Sequence, residues 1–328
     1  MEKDRPQARR RGHVTALAVL ALAAGIAVLL WLIVRAGIAP LKGALATIGV
    51  TGLVIVAVAH LPVIAVLGLA WRHSARIWPR PAAMHFIWAR ALRDAGSEVL
   101  PLSQFGGLAM GARALALFDV GGRKAVIWTL LDLMIELATK LPYVLFGLGL
   151  LLLLRGNDAI GGGLLAAALA VVIVLLGAKD LHPTMLIPRR RGPKILRQIG
   201  IALRRWSPAL GDRRKAMLLH SLGWFVGAAE TWLIFRLMES RVALGPALVI
   251  DSLVGAIRMF GFLVPGAVGV QEGAYVLLCG LFAVSPANAI AFSLIRRARD
   301  LLIAAVALLP WPWRELQRMR NPSSNLKA

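Results

Sequence analysis

A single cysteine, Cys279, leaves no partner for an internal disulfide and too few thiolates for a cysteine metal centre. Charge is scarce as well: Asp, Glu, Lys and Arg make up 16% of the 328 residues. A soluble domain carries about 25%, so the composition argues against a water-soluble globule. The six histidines (His13, His60, His73, His85, His182 and His220) are scattered, with no HExxH or similar ligand spacing. No GxxxxGK[ST] loop offers a nucleotide site. We therefore read no metal, no cofactor and no catalytic residue.

What the chain has instead is apolar length. Hydrophobic residues make up 59% and mean hydropathy is +0.73. They are gathered into six runs, 14–34, 45–71, 125–154, 159–178, 216–237 and 287–310, each near or above the ~20 residues that cross a bilayer as a helix. Two further segments, 84–117 and 245–284, are apolar but interrupted by Pro, Gly and charge. They read as broken or re-entrant hairpins, or as pairs of full crossings. The expected fold is all-α: one polytopic helical bundle over 13–310 with a basic loop at 179–215, between short basic tails at 1–12 and 311–328. The run 14–34 is too long for the core of a cleaved signal and reads as a retained signal-anchor.

The net charge of +22 does not point to nucleic acid, because most basic residues stand between apolar runs. With the N-terminus inside, segments on that side hold 25 Lys and Arg and those outside hold five. That is the positive-inside pattern of an inner membrane with both termini cytoplasmic. Trp31, Trp71, Trp78, Trp311 and Trp313 fall near helix ends, where indoles favour headgroups. Residues 194–210 read either as an amphipathic helix on the anionic inner leaflet or as a solvated basic loop.

The broken segments echo one another. Arg93, Gly96, Pro101 and Gly106 recur in order as Arg258, Gly261, Pro265 and Gly269. Three crossings separate the copies, which makes the echo an inverted repeat of the kind transporters use, if it is not chance.

Eight basic residues remain inside apolar segments: Arg90, Arg93, Arg113, Lys140, Arg258, Arg296, Arg297 and Arg299. Eight acids match them: Asp94, Glu98, Asp132, Glu136, Glu230, Asp251, Glu272 and Asp300. A lone charge at the bilayer centre costs about 2.5–3.5 kcal/mol, so these must pair or face water. Helical spacing offers Glu136 to Lys140, Arg296 to Asp300, and Arg90 to Asp94. Arg93 and Arg258 are candidates for bridging the two hairpins. Pairs could simply hold helices together, yet buried ion pairs are weak stabilisers. Sixteen charges around two broken hairpins fit a polar cavity better, and arginine forks suit a phosphate. His60 and Pro62 read as a satisfied polar group and a kink.

The stretch Trp88-Ala-Arg-Ala-Leu-Arg-Asp-Ala-Gly-Ser-Glu-Val-Leu-Pro101 with Leu-Ser-Gln-Phe-Gly-Gly107, and the later Val264-Pro-Gly-Ala-Val-Gly-Val-Gln-Glu272, resemble two signatures of the membrane domain of lysylphosphatidylglycerol synthases. Most similar is the stand-alone subfamily associated with hopanoid biosynthesis. The resemblance implies a flippase-like domain of the bacterial inner membrane that moves lipid between leaflets. It does not imply lysyl transfer, for which these residues leave no soluble domain.

The expectation is therefore a lipid translocator. Arg93, Arg113 and Arg258 would contact a headgroup of a phospholipid or polar hopanoid. Glu98, Asp132, Glu136, Lys140 and Glu272 would supply counter-charge or a proton route. Gly96, Pro101, Gly106, Gly261, Pro265, Gly266 and Gly269 would form the hairpin breaks. Two alternatives stay open: a scaffold whose partners are lipid-biosynthetic enzymes, and a membrane-embedded enzyme using Asp132 and Glu136.

Overall fold

The computed structural model describes residues 26–74, 81–100, 104–177, 200–261 and 264–320, apart from the single positions 28, 36, 119, 202, 204 and 206. The basic tail 1–12, Trp78, Pro101, most of the run 14–34 and all of 179–199 lie outside them. Every regular element among the described residues is helical.

Among the described residues, four helices are long and apolar enough to cross a membrane. They are α1 (Ile38–His73), α4 (Gly122–Leu154), α5 (Asp158–Gly177) and α6 (Leu210–Leu237). Each contains one of the expected runs, α5 all but position 178, which lies outside the described residues. The run at 287–310 forms the continuous helix α9 (Pro286–Leu308), started by Ser285, whose side chain accepts from Asn288 N–H. Its charged residues Arg296, Arg297, Arg299 and Asp300 set it apart from the four apolar spans.

The break in α1 is not where proline suggested. Pro62 sits inside continuous helix, whereas Gly49, at φ 56° and ψ −169°, interrupts it. Membrane helices tolerate the ring where neighbouring helices, hydroxyl side chains or local adjustments re-satisfy the backbone group it frees. Gly49 adopts a conformation that side chains disfavour.

The two interrupted segments are pairs of short helices. The first is α2 (Ala83–Val99) and α3 (Gln104–Ala116). The second is α7 (Leu244–Phe260), a single 3-10 turn (Pro265–Ala267) and α8 (Val270–Gly280). Their arms have 17, 13, 17 and 11 residues, each below the ~20 needed to cross alone. Gly96 and Gly106 lie inside α2 and α3, not at a break. Gly96 serves packing: a β-carbon there would stand 3.0 Å from the Gly107 Cα where the arms cross. In the second hairpin the breaks fall where expected, with Gly261 capping α7 and Gly269 opening α8.

At the centre, α1 packs against α6, α9 and α2, while α4 packs against α3, α5, α6 and α7. Small residues permit the close approaches. A β-carbon on Gly68 would lie 2.6 Å from the Ile87 Cα, and one on Gly223 2.6 Å from a Leu67 methyl. One apolar cluster centres on Phe235 and Phe292, whose rings stack 4.4 Å apart. A second holds Phe86, Leu131 and Trp71. Trp71 is fully buried there, edge-on to Phe86, not at an interface as its position near a helix end suggested. A last helix, α10 (Trp311–Arg320), returns to the first hairpin: Trp311 meets Trp88, whose indole N–H donates to the Ala307 carbonyl at 2.8 Å.

Candidate functional site: a charged chamber between the hairpins

The buried charges gather around one chamber of about 500 Å³ lined by α1, α2, α3, α4, α6, α7, α8 and α9. Six cations (Arg90, Arg93, Lys140, Arg258, Arg296 and Arg299) face six acids in its lining (Asp94, Glu98, Glu136, Glu230, Asp251 and Asp300). Four groups of contacts order them.

The first fastens α2 to α4. Arg93 donates to Asp132 at 2.8 Å and to Glu136 at 2.7 Å, and Arg90 donates to Asp94 at 3.0 Å and to Glu136 at 3.3 Å. Asp132 is fully buried behind the wall, where it also accepts from Ser74 and lies 3.0 Å from His220 Nε2. The Arg90–Asp94 pair forms as helical spacing suggested. The Glu136–Lys140 pair does not, because two guanidiniums from α2 occupy Glu136.

The second group joins the hairpins to each other. Arg258 of α7 donates to Glu98 of α2 at 2.5 Å. Arg297 of α9 reaches Glu98 at 3.5 Å, Glu272 at 2.8 Å and the Gly266 carbonyl at 3.2 Å. Glu98 and Glu272, one from each hairpin, thus share a guanidinium. A bridge between the hairpins exists, but Glu98, not Arg93, answers Arg258. Gly266, at φ 59°, lets the turn close on α2: a β-carbon there would stand 3.1 Å from the Glu98 carbonyl oxygen. Glu272 is buried beyond the lining and accepts from Gly269 N–H at 2.7 Å and from Ser293 at 3.0 Å. It caps α8.

The third group centres on Asp251, which accepts from Tyr143 and Thr231 (both 2.9 Å) and from Arg296 at 3.0 Å. Arg296 therefore does not pair with Asp300 one turn away. Asp300 is held by Arg299 at 2.7 Å, and Arg299 also bonds Glu230. In this fourth group His60 Nδ1 lies 2.7 Å from Glu230, so His60 is satisfied as expected, yet it also lines the chamber.

Lys140 differs from all the other cations of the lining. It forms no ion pair with a carboxylate among the described residues. Its ammonium lies 4.0 Å from the centroid of the Trp224 ring and 5.3 Å from that of Tyr143. Gly255 leaves it room, since a β-carbon there would come 2.5 Å from Nζ.

Of the expected site residues, Arg93, Arg258, Glu98, Glu136 and Lys140 line the chamber, and Asp132 and Glu272 stand just behind it. Arg113 does not join them. It faces the other side of α3 and forks onto Glu315 of α10. His60, Arg90, Asp94, Glu230, Asp251, Tyr275, Arg296, Arg299 and Asp300 also line it, and the expected site had left them out. The usable signal was the rule that an ionisable group in a membrane helix has a named partner: His60 and Glu230 each interrupt an apolar run.

The chamber opens beside apolar side chains. Phe105 of α3 and Met259 of α7 line it while remaining largely exposed, as does Leu137 of α4.

No curated protein and no solved structure was found to match the chain. The family model described as lysylphosphatidylglycerol synthase TM region matches residues 16–307, covering both hairpins and every chamber residue. The chain is a membrane protein and belongs to the lysylphosphatidylglycerol synthase transmembrane-region family.

Proposed function

We propose that the protein translocates a lipid with a polar headgroup, a phospholipid or a polar hopanoid, across a bacterial inner membrane, without chemical change. The observation that carries this reading is Lys140, a cation in a charged chamber with no carboxylate of its own among the described residues. A cation kept in an apolar surrounding without a counter-ion is costly unless water or an anion completes it. A lipid phosphate is such an anion. The apolar rim at Phe105, Leu137 and Met259 suits a molecule whose chains stay in the bilayer while its headgroup enters from the side. The short hairpin arms support re-entrant segments in an inverted repeat, with both termini cytoplasmic. In this reading Arg258 and Glu98, joined across the hairpins, part or shift as the headgroup passes.

A second reading draws on a specific observation: each arginine of the lining is already held by a carboxylate. A scaffold that positions lipid-biosynthetic enzymes would need nothing more. The two readings part in reconstituted vesicles carrying a headgroup-labelled phosphatidylglycerol. Translocation predicts leaflet exchange by the intact protein, with a drop of about tenfold in Lys140→Ala, equivalent to about 1.4 kcal/mol. Equal exchange in wild type, Lys140→Ala and empty vesicles would leave the scaffold standing.

A further inference from the structure

A second cavity, of about 370 Å³, lies on the other side of Trp224, between α4, α5 and α6. Its shape follows from two glycines. A β-carbon on Gly149 would stand 2.9 Å from the Gly161 carbonyl oxygen, and one on Gly161 equally close to that of Gly149. The two helices are pinched together there. Further along α5 the gap between the pair is filled from behind by α6, whose Met217 is buried beside Leu175 and Leu176. A groove remains, floored by Ala168 and Met217 and rimmed by the exposed side chains of Leu169 and Leu218.

Three properties define what the groove can hold. No charged side chain among the described residues lines it, and the Tyr143 hydroxyl on its wall is turned onto Asp251. Leu165 and Leu176 mark its ends on α5, eleven residues apart. That is about 16 Å along the axis at 1.5 Å per residue. Half of a ~30 Å hydrocarbon core is about 15 Å, the depth one lipid chain occupies in its leaflet. Finally, the groove adjoins the chamber across one side chain: Trp224 lines both, with Lys140 over its ring and its N–H on Thr139 at 3.2 Å.

We infer that this groove seats one acyl chain of the same lipid whose headgroup occupies the chamber, with Trp224 as the common wall. The inference rests on the headgroup reading of the chamber and adds the hydrophobic half of the ligand. Chain length then contributes to recognition, and α5, which packs chiefly along α4, forms part of the binding site.

The full chain, purified in detergent, can be titrated with dioleoyl- and dihexanoyl-phosphatidylglycerol by native mass spectrometry. Ala168→Trp fills the groove floor; Val172→Trp fills the same groove from another position should the first variant misfold. Both should weaken the dioleoyl lipid about tenfold, as if roughly two methylenes were withheld from burial. Both should leave the six-carbon lipid unchanged. Lys140→Ala should weaken both lipids alike. Unchanged dioleoyl affinity in a folded groove variant would overturn the inference, and so would an equal loss for the two lipids. Loss confined to the long-chain lipid, together with no effect of Lys140→Ala, would uphold the groove while removing the headgroup reading of the chamber.

Discussion

The two hairpins carry the same pattern of Arg, Gly, Pro and Gly, yet the chain uses them differently. In the first, Arg93 is locked: its side chain is 5% exposed and both amino groups are bound by carboxylates of α4. In the second, Arg258 is 23% exposed, faces the chamber and holds a single carboxylate, Glu98, from the opposite hairpin. The first hairpin is anchored through its arm, the second through its turn, where Glu272 caps α8 and holds Arg297. Equivalent sequence positions therefore divide into a fixed cation and an available one. The difference lies in what the neighbouring helices offer, Asp132 and Glu136 on α4 against Glu98 alone.

Mutations can break this contrast. The largest effect should come from Asp132→Ala, which strips a fully buried carboxylate from Arg93, Ser74 and His220. Removing one member of a buried pair costs about 3–5 kcal/mol, so denaturant unfolding in detergent should show a loss of that size. Glu272→Ala should follow at about 2–3 kcal/mol, combining a lost helix cap with an unpaired Arg297. If Glu272→Ala matched wild type, the second hairpin would not be anchored through its turn. Gly107→Ala should cost about 1–3 kcal/mol by overpacking, since its methyl would meet Ser97 Oγ and the Arg93 carbonyl.

Arg258→Ala sharpens the comparison from the other side. Because Glu98 keeps Arg297 as a partner and Arg258 itself is partly exposed, it should cost about 1 kcal/mol of stability while lowering leaflet exchange about tenfold. A stability loss as large as that of Asp132→Ala would erase the distinction between the hairpins. The smallest effect should be that of Arg113→Ala: its pair with Glu315 is about half exposed on the Arg113 side, so its loss should stay below about 1 kcal/mol and leave exchange unaltered.

The apolar spans were legible because bilayer length writes itself into uninterrupted runs, as in α4 and α6. The hairpins were legible from their interruptions, and the gathering of charges from the cost of isolating them. Which charges meet was less so. Spacing along α4 offers Glu136 to Lys140 and spacing along α9 offers Arg296 to Asp300, but both are taken by partners from other helices. Local neighbours are always within reach, so helical spacing names what is possible; the three-dimensional crossing of α2 over α4, and of α9 past α7, decides. Arg113 failed for a related reason. Its helix presents one face to the chamber and another to α10, and no pattern within Gln104–Ala116 says which is which. The groove behind Trp224 was invisible for the opposite cause: a gap between apolar helices leaves no polar residue to announce it.

The return of α10 has a practical corollary. Because Trp311 rests on Trp88, and Arg113 grips Glu315, the final helix behaves as a strap over the first hairpin rather than a loose end. Cutting the chain after Leu309 would unbuckle that strap at the hairpin whose arginine is the locked one. Fusions and purification tags belong beyond Arg320.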